Sequence, residues 1–187
     1  MAKRSVRARV RVAVSALGAA TVLAAASAQG NVVGYRGSIG AGNTFMDGEE
    51  TVVRATAGIV LSDWQVLGFA VSPHLDAGLL LWLPHQGRGD NVTGGSLRVT
   101  LAHAVSDGSP WFWEVGTGML LLSDRQLRND LDMGTRWHFD SHVGLGRHFG
   151  PAARWSLIYQ VHHASNGGAT EQNPGVNFQL VNLVYRY

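Results

Sequence analysis

Cysteine is absent from this 187-residue chain, lysine occurs once, at Lys3, and charged residues make up only 15%. Without cysteine there is no disulfide framework, no thiolate metal site and no cysteine nucleophile. Low charge combined with 6 Trp, 6 Phe and 4 Tyr excludes a disordered tail, which would be richer in charge and poorer in aromatics. Past residue 30 no run of ~18 apolar residues occurs, so no spanning helix is available. No basic cluster interleaved with aromatics occurs either, which leaves nucleic-acid binding without support.

The positive charge of the chain is concentrated in its first residues. Lys3, Arg4, Arg7, Arg9 and Arg11 precede an apolar stretch over residues 12–25, and Ala26-Ser27-Ala28 follow. This is the pattern of a secretory signal peptide, cleaved after residue 28. Its removal takes five positive and no negative charges from a formal +2, leaving −3. Residues 29–187 are then one exported domain, mildly acidic, and the basic isoelectric point says nothing about partners.

What remains alternates with a period of two, the strand signal, broken by Gly, Pro, Asp and Asn. Eight segments follow: 31–42, 51–61, 74–83, 94–105, 111–122, 134–148, 153–165 and 176–187, with 64–71 read as a connection. One face is apolar, as in Leu75, Ala77, Leu79, Leu81 and Leu83, or Trp137, Phe139, Val143 and Leu145. The other carries Gly and both charge signs, including Arg36, Arg54, Arg98, Asp76, Glu114 and Asp140. A soluble barrel or sandwich would bury the apolar face, and a membrane barrel would turn it to lipid. The membrane reading is favoured because a narrow lumen needs paired polar side chains. Aromatics near strand ends (Trp82, Trp111, Trp113, Trp137, Trp155, Tyr185 and Tyr187) suit an interfacial belt. The terminal LVYRY also resembles the closing signal of bacterial outer-membrane barrels. The expected fold is therefore an all-β, eight-stranded antiparallel transmembrane β-barrel.

Even strand parity puts both termini on the periplasmic side. The loop 166–175, after the seventh strand, then lies at the cell surface. Along that strand Trp155, Leu157, Tyr159 and Val161 make the lipid-facing stripe, and alternation carries His163 and Ser165 onto the same face while His162 points inward. Two positions apart, an imidazole and a hydroxyl can meet, as a base and nucleophile must. The same spacing suits two polar residues that have simply left the membrane for the headgroup zone. His138, Asp140 and His142, alternating on the inner face, could hold a metal, but they equally supply the polar pairs a lumen needs.

The run His163-Ala164-Ser165-Asn166-Gly167-Gly168, followed by Asn173-Pro174-Gly175 and an aromatic-ended strand, resembles the PagL-type lipid A 3-O-deacylases. WFWEVGTGMLLLS (111–123) and GTRWHFDSHVGLGRHFG (134–150) are similar to that family's fifth and sixth strands. The resemblance implies an outer-membrane esterase that removes the ester-linked acyl chain at the 3-position of lipid A in lipopolysaccharide. It implies Ser165 as nucleophile, His163 as general base, and Asn166, Gly167 and Gly168 as oxyanion support, with Asn173 a further candidate. It implies no cofactor, and lipid substrate and outer-membrane lipids as partners; a homodimer is left open. The family's acidic triad member, a Glu, falls on Asn177; Glu171 in the loop is either a carboxylate that reaches in as a substitute or an exposed loop residue. An amide can orient an imidazole without giving it a counter-charge. A barrel whose site has decayed, and a soluble exported barrel that binds an apolar ligand, are the competing readings.

Overall fold

The computed structural model describes residues 31–45, 50–85 and 87–187; the expected signal peptide lies outside them. Among the described residues there are eleven strands: β1 (Val32–Thr44), β2 (Thr51–Leu61), β3 (Trp64–Val66), β4 (Phe69–Leu83), β5 (Val92–Ala104), β6 (Trp111–Leu122), β7 (Gln126–Arg128), β8 (Leu131–Asp132), β9 (Trp137–Phe149), β10 (Trp155–Ser165) and β11 (Val176–Arg186). Eight of them, the long ones, pair antiparallel in chain order, β2 with β4 and β6 with β9 included. β1 pairs with β11 from Arg36↔Arg186 to Thr44↔Phe178, which closes the sheet into a barrel. Closure leaves the eight long strands without a free edge along the barrel wall, the condition for strands to cross a bilayer.

The connection expected over 64–71 is a small hairpin instead. β3 pairs with the first residues of β4 around Leu67 and Gly68, both at positive φ (52° and 85°). Paired positive φ is the two-residue turn that matches strand twist. The third barrel strand consequently begins at Phe69, before the expected residue 74. A second hairpin, β7–β8, turns at Asn129-Asp130 above the extracellular mouth.

The apolar stripe faces outward, as the membrane reading requires: Ile39, Leu79, Leu121, Val143, Leu157 and Val181 are exposed. Inside, the middle layer is polar. Arg54 pairs with Asp140 at 2.8 Å, Arg36 with Asp76 at 3.1 Å, and Asp140 also accepts from His162 at 2.8 Å. These charges are fully buried, and each has a partner of opposite sign or a hydrogen bond, without which burial would be prohibitive.

The lumen is not polar throughout. Toward the extracellular end Leu80, Trp82, Leu120, Leu122, Phe178 and Leu180 form an apolar plug, sealed by Leu127 and Met133 from the mouth hairpin. Trp82 is therefore not a belt residue: it is 1% exposed and packs edge-on against Phe178 at 5.7 Å. Its even position shares the inner face with His74 and Asp76, and at this height the hairpin supplies apolar partners that exclude water. Arg128 ties that hairpin to Glu50 at 2.9 Å and, within the turn, donates to Asp130 at 2.5 Å, a hydrogen bond that holds the Asp130 carboxyl below the usual range.

Candidate active site on the lipid-facing wall

Along β10 burial alternates, with Ser156, Ile158, Gln160, His162 and Ala164 inside and Leu157, Tyr159 and His163 exposed. The pleat thus separates two adjacent histidines. His162 is buried, bonded to Asp140, 3.1 Å from Gln160 Oε1, and stacked between His142 and Phe178. His163 stands on the outer wall, opposite Asn177 of β11 and Ser141 of β9.

Register brings His163 and Asn177 together. The ring Nδ1–H donates to Asn177 Oδ1 at 2.8 Å, which leaves Nε2 as the unprotonated nitrogen. Ser165, half-buried at the end of the strand, follows on the same face. Among the described residues no hydrogen bond joins the His163 ring to Ser165 Oγ; such bonds commonly tighten only when substrate is bound. Glu171 is exposed in the loop and makes no contact with His163 among the described residues.

Gly175 fixes how the imidazole lies. A Cβ at this position would sit 2.9 Å from His163 Cε1 and 3.5 Å from Nε2, and its φ is +67°. Only glycine satisfies both the backbone conformation and the close approach.

The loop after Ser165 is organised by Asn166, which is fully buried. Its side-chain amide donates to Thr170 Oγ1 (2.8 Å), Gln172 O (2.9 Å) and Met133 O (3.2 Å). Its Oδ1 accepts the Gly168 N–H at 3.0 Å, and its own N–H donates to Asn173 Oδ1 at 3.0 Å. Of the three residues expected to serve an oxyanion, Asn166 and Gly168 therefore have these donors engaged within the loop. Among the described residues the Gly167 N–H has no internal acceptor. The bond to Met133 O locks the loop onto the mouth hairpin. Sequence reasoning missed this bracing; the signal was Asn129-Asp130 between Leu127 and Leu131, a hairpin turn between apolar residues.

A polar row missed in the sequence also crosses the outer wall. Thr117, Ser141, His163 and Asn177 are direct neighbours on β6, β9, β10 and β11, and Thr117 Oγ1 lies 3.0 Å from Ser141 Oγ. Odd parity on each strand carried that information, but only the pairing register lines the residues up.

The inner-face trio His138, Asp140 and His142 does not converge. Both Asp140 oxygens are taken, by Arg54 and His162. Among the described residues no group of three or more His, Cys, Asp or Glu is placed to hold a metal ion.

An outward-facing imidazole with one nitrogen held and the other free, followed by a serine and a braced glycine loop, can carry nucleophilic acyl transfer. Comparison with known proteins identifies the family. Residues 51–186 match the PagL family, described as Lipid A 3-O-deacylase. Over 80 residues the chain is 35% identical to "Lipid A deacylase PagL" of Bordetella bronchiseptica, covering 43% of this chain and 42% of that protein. The chain thus spans about two-fifths of the length of the curated relative it matches. A solved structure described as "Crystal structure of the outer membrane enzyme PagL" superposes with a TM-score of 0.65 at 22% identity. That match covers 80% of this chain and 98% of the other, and it establishes the shared barrel.

Proposed function

Since the chain belongs to the PagL family of lipid A 3-O-deacylases, we propose that it is an outer-membrane esterase that removes the 3-position acyl chain of lipid A. The observation that carries this reading is the His163–Asn177 bond on the lipid-facing wall, beside Ser165. An amphiphilic ester held in the outer leaflet can present its carbonyl there while its acyl chain stays in hydrocarbon.

In the proposed mechanism, Ser165 Oγ attacks the ester carbonyl as His163 Nε2 takes its proton. The tetrahedral intermediate expels the sugar hydroxyl, protonated by the imidazolium. Water, activated by the same nitrogen, then hydrolyses the acyl-serine and releases the fatty acid. In this scheme two backbone N–H groups support the developing oxyanion, Gly167 directly and Asn166 by exchanging its bond to Asn173, while the Gly168 N–H stays on Asn166 Oδ1 and shapes the loop. A donor aimed at that oxygen typically contributes ~3 kcal/mol. Asn177 holds the His163 ring in this scheme, and Asn166 braces the loop that carries Gly167 and Gly168. No cofactor enters, since serine and histidine supply nucleophile and base.

The test is mass spectrometry of lipid A from cells producing the wild type or Ser165→Ala, with both proteins shown to reach the outer membrane. Loss of one 3-hydroxyacyl mass with the wild type alone is the expected result; unchanged lipid A in both would defeat the reading. A second reading, a barrel whose site has decayed, rests on one observation: an amide at position 177, where the resemblance implies a carboxylate.

Gly175→Ala is expected to lower kcat by ~10²-fold in a barrel that still folds, its stability reduced by the ~1 kcal/mol strain of an alanine at positive φ. A displacement of the imidazole by less than an ångström is enough for that, because turnover is steep in the geometry of reacting groups. Wild-type kcat in this variant would show that the ring is not positioned by the glycine.

A further inference from the structure

The β7–β8 hairpin lies over the extracellular mouth, with Leu127 and Met133 buried in the apolar plug beneath it. Apolar contact is non-directional, so it holds the hairpin down without fixing where over the mouth it rests. Directional bonds at its two ends do that.

At one end Arg128 Nη1 donates to Glu50 Oε1 at 2.9 Å, and the carboxylate is 1% exposed. Glu50 is itself fixed to the barrel wall. Its Oε2 accepts from the Thr44 hydroxyl, and its carbonyl accepts the Thr44 N–H at 3.2 Å, at the end of β1. At the other end of the hairpin Met133 O accepts from the Asn166 side chain at 3.2 Å. A Cβ on Gly134, the next residue, would run into Gln172 O and Thr170 Oγ1, so the hairpin also abuts the site loop sterically. Thr170 and Gln172 are the residues that, with Met133, hold the Asn166 amide. Asn166 Oδ1 in turn holds the Gly168 N–H, beside Gly167. A displaced hairpin therefore displaces the loop that carries the Gly167 N–H.

A buried ion pair is a poor device for stability alone. Desolvating two charges offsets most of their attraction, and apolar residues of similar volume often stabilise as well. What the pair does supply is a single geometry, because misplacing either partner leaves a buried charge uncompensated.

We propose that Glu50 and Arg128 are positioning residues for the hydrolase: their ion pair sets the mouth hairpin in one place and, through Met133 and Asn166, aims the Gly167 N–H at the reacting ester. The inference rests on the esterase reading for its reaction, and it gives a role to two residues that no step of that reaction touches.

The experiment uses the protein in detergent micelles with lipid A as substrate. Glu50→Gln keeps the size of the side chain and removes its charge. In the folded barrel kcat is expected to fall about tenfold with KM within about twofold, since the loop is misaimed and the substrate is not lost. Asn166→Ala removes the brace and leaves its backbone N–H in place. In that background the same Glu50→Gln change is expected to cost no more than about twofold, because residues that act through one contact are not additive. An ion pair that only stabilises the barrel would lower kcat equally in both backgrounds, and that result overturns the proposal. So does a wild-type kcat in folded Glu50→Gln.

Hydrogen exchange keeps the proposal separate from the esterase reading. By NMR the Asn166 side-chain amide protons are expected to exchange about tenfold faster in Glu50→Gln than in the wild type, with amides in the middle of β10 unchanged. Unchanged exchange at Asn166 overturns the proposal whatever the activity. If the wild type cleaves no lipid A, the esterase reading fails, and exchange alone decides whether the pair positions the loop. Should Glu50→Gln not fold, the neutral pair of Glu50→Gln with Arg128→Gln, which leaves no charge unpaired, carries the same expectations.

Discussion

Replacing His163 by Ala is expected to lower lipid A deacylation by ~10³-fold or more, the scale on which removing the base of a nucleophile–base pair acts. The same change at His162 is expected to leave most turnover intact. The two residues are adjacent in sequence, yet the pleat of β10 sends one to the lipid-facing wall and the other into the lumen. Loss of His162 is felt as stability, because its bond to Asp140 and its stacking on Phe178 disappear. That costs roughly 1–3 kcal/mol, and Arg54 still neutralises Asp140. The measurement is deacylation by both variants at equal amounts of folded barrel, scored by heat-dependent gel migration. Equal loss of activity in two folded variants would remove His163 from its proposed role.

Asn177→Glu is expected to raise kcat by about 10²-fold. Register already delivers residue 177 to His163 Nδ1, and the amide oxygen already fixes the tautomer. What the amide cannot do is stabilise the imidazolium that forms as Ser165 loses its proton. In serine-protease triads, exchanging the carboxylate for an amide costs ~10⁴ in kcat, much of it through the wrong tautomer. Here the tautomer is correct, so a smaller gain is expected from restoring charge. Steady-state kinetics on both forms checks this. A rate identical to the wild type would mean that charge at 177 does not limit turnover. A silent wild type made active by the single change would establish decay at this position.

Much of this molecule is legible in its one-dimensional pattern because strand alternation is local. A period of two assigns each residue to a face without knowledge of its neighbours. Thus the eight strands, the lipid-facing stripe and the opposite fates of His162 and His163 could be read before any pairing was known. The edges of the reading failed where local signals are ambiguous. Leu67-Gly68 turns a hairpin that looks like a connection, and Trp82 carries an aromatic label that fits a belt as well as a core.

The pattern of the chain alone therefore determined which side chains face lipid, and it put His163 and Ser165 among them. Tertiary structure decided everything that depends on register and on loops meeting in space. Asn177 reaches His163 because β10 and β11 pair with those residues opposite, and a shift of one position would turn Asn177 away. Asn166 braces the site loop because the mouth hairpin brings Met133 O within 3.2 Å. Gly175 lies against the His163 ring because the loop returns at positive φ. Glu50 and Arg128 are far apart in sequence, and only the fold of the mouth hairpin over the barrel joins them. Alternation is a property of one strand, whereas a site is a property of several, fixed by hydrogen-bond pairing that no single segment encodes.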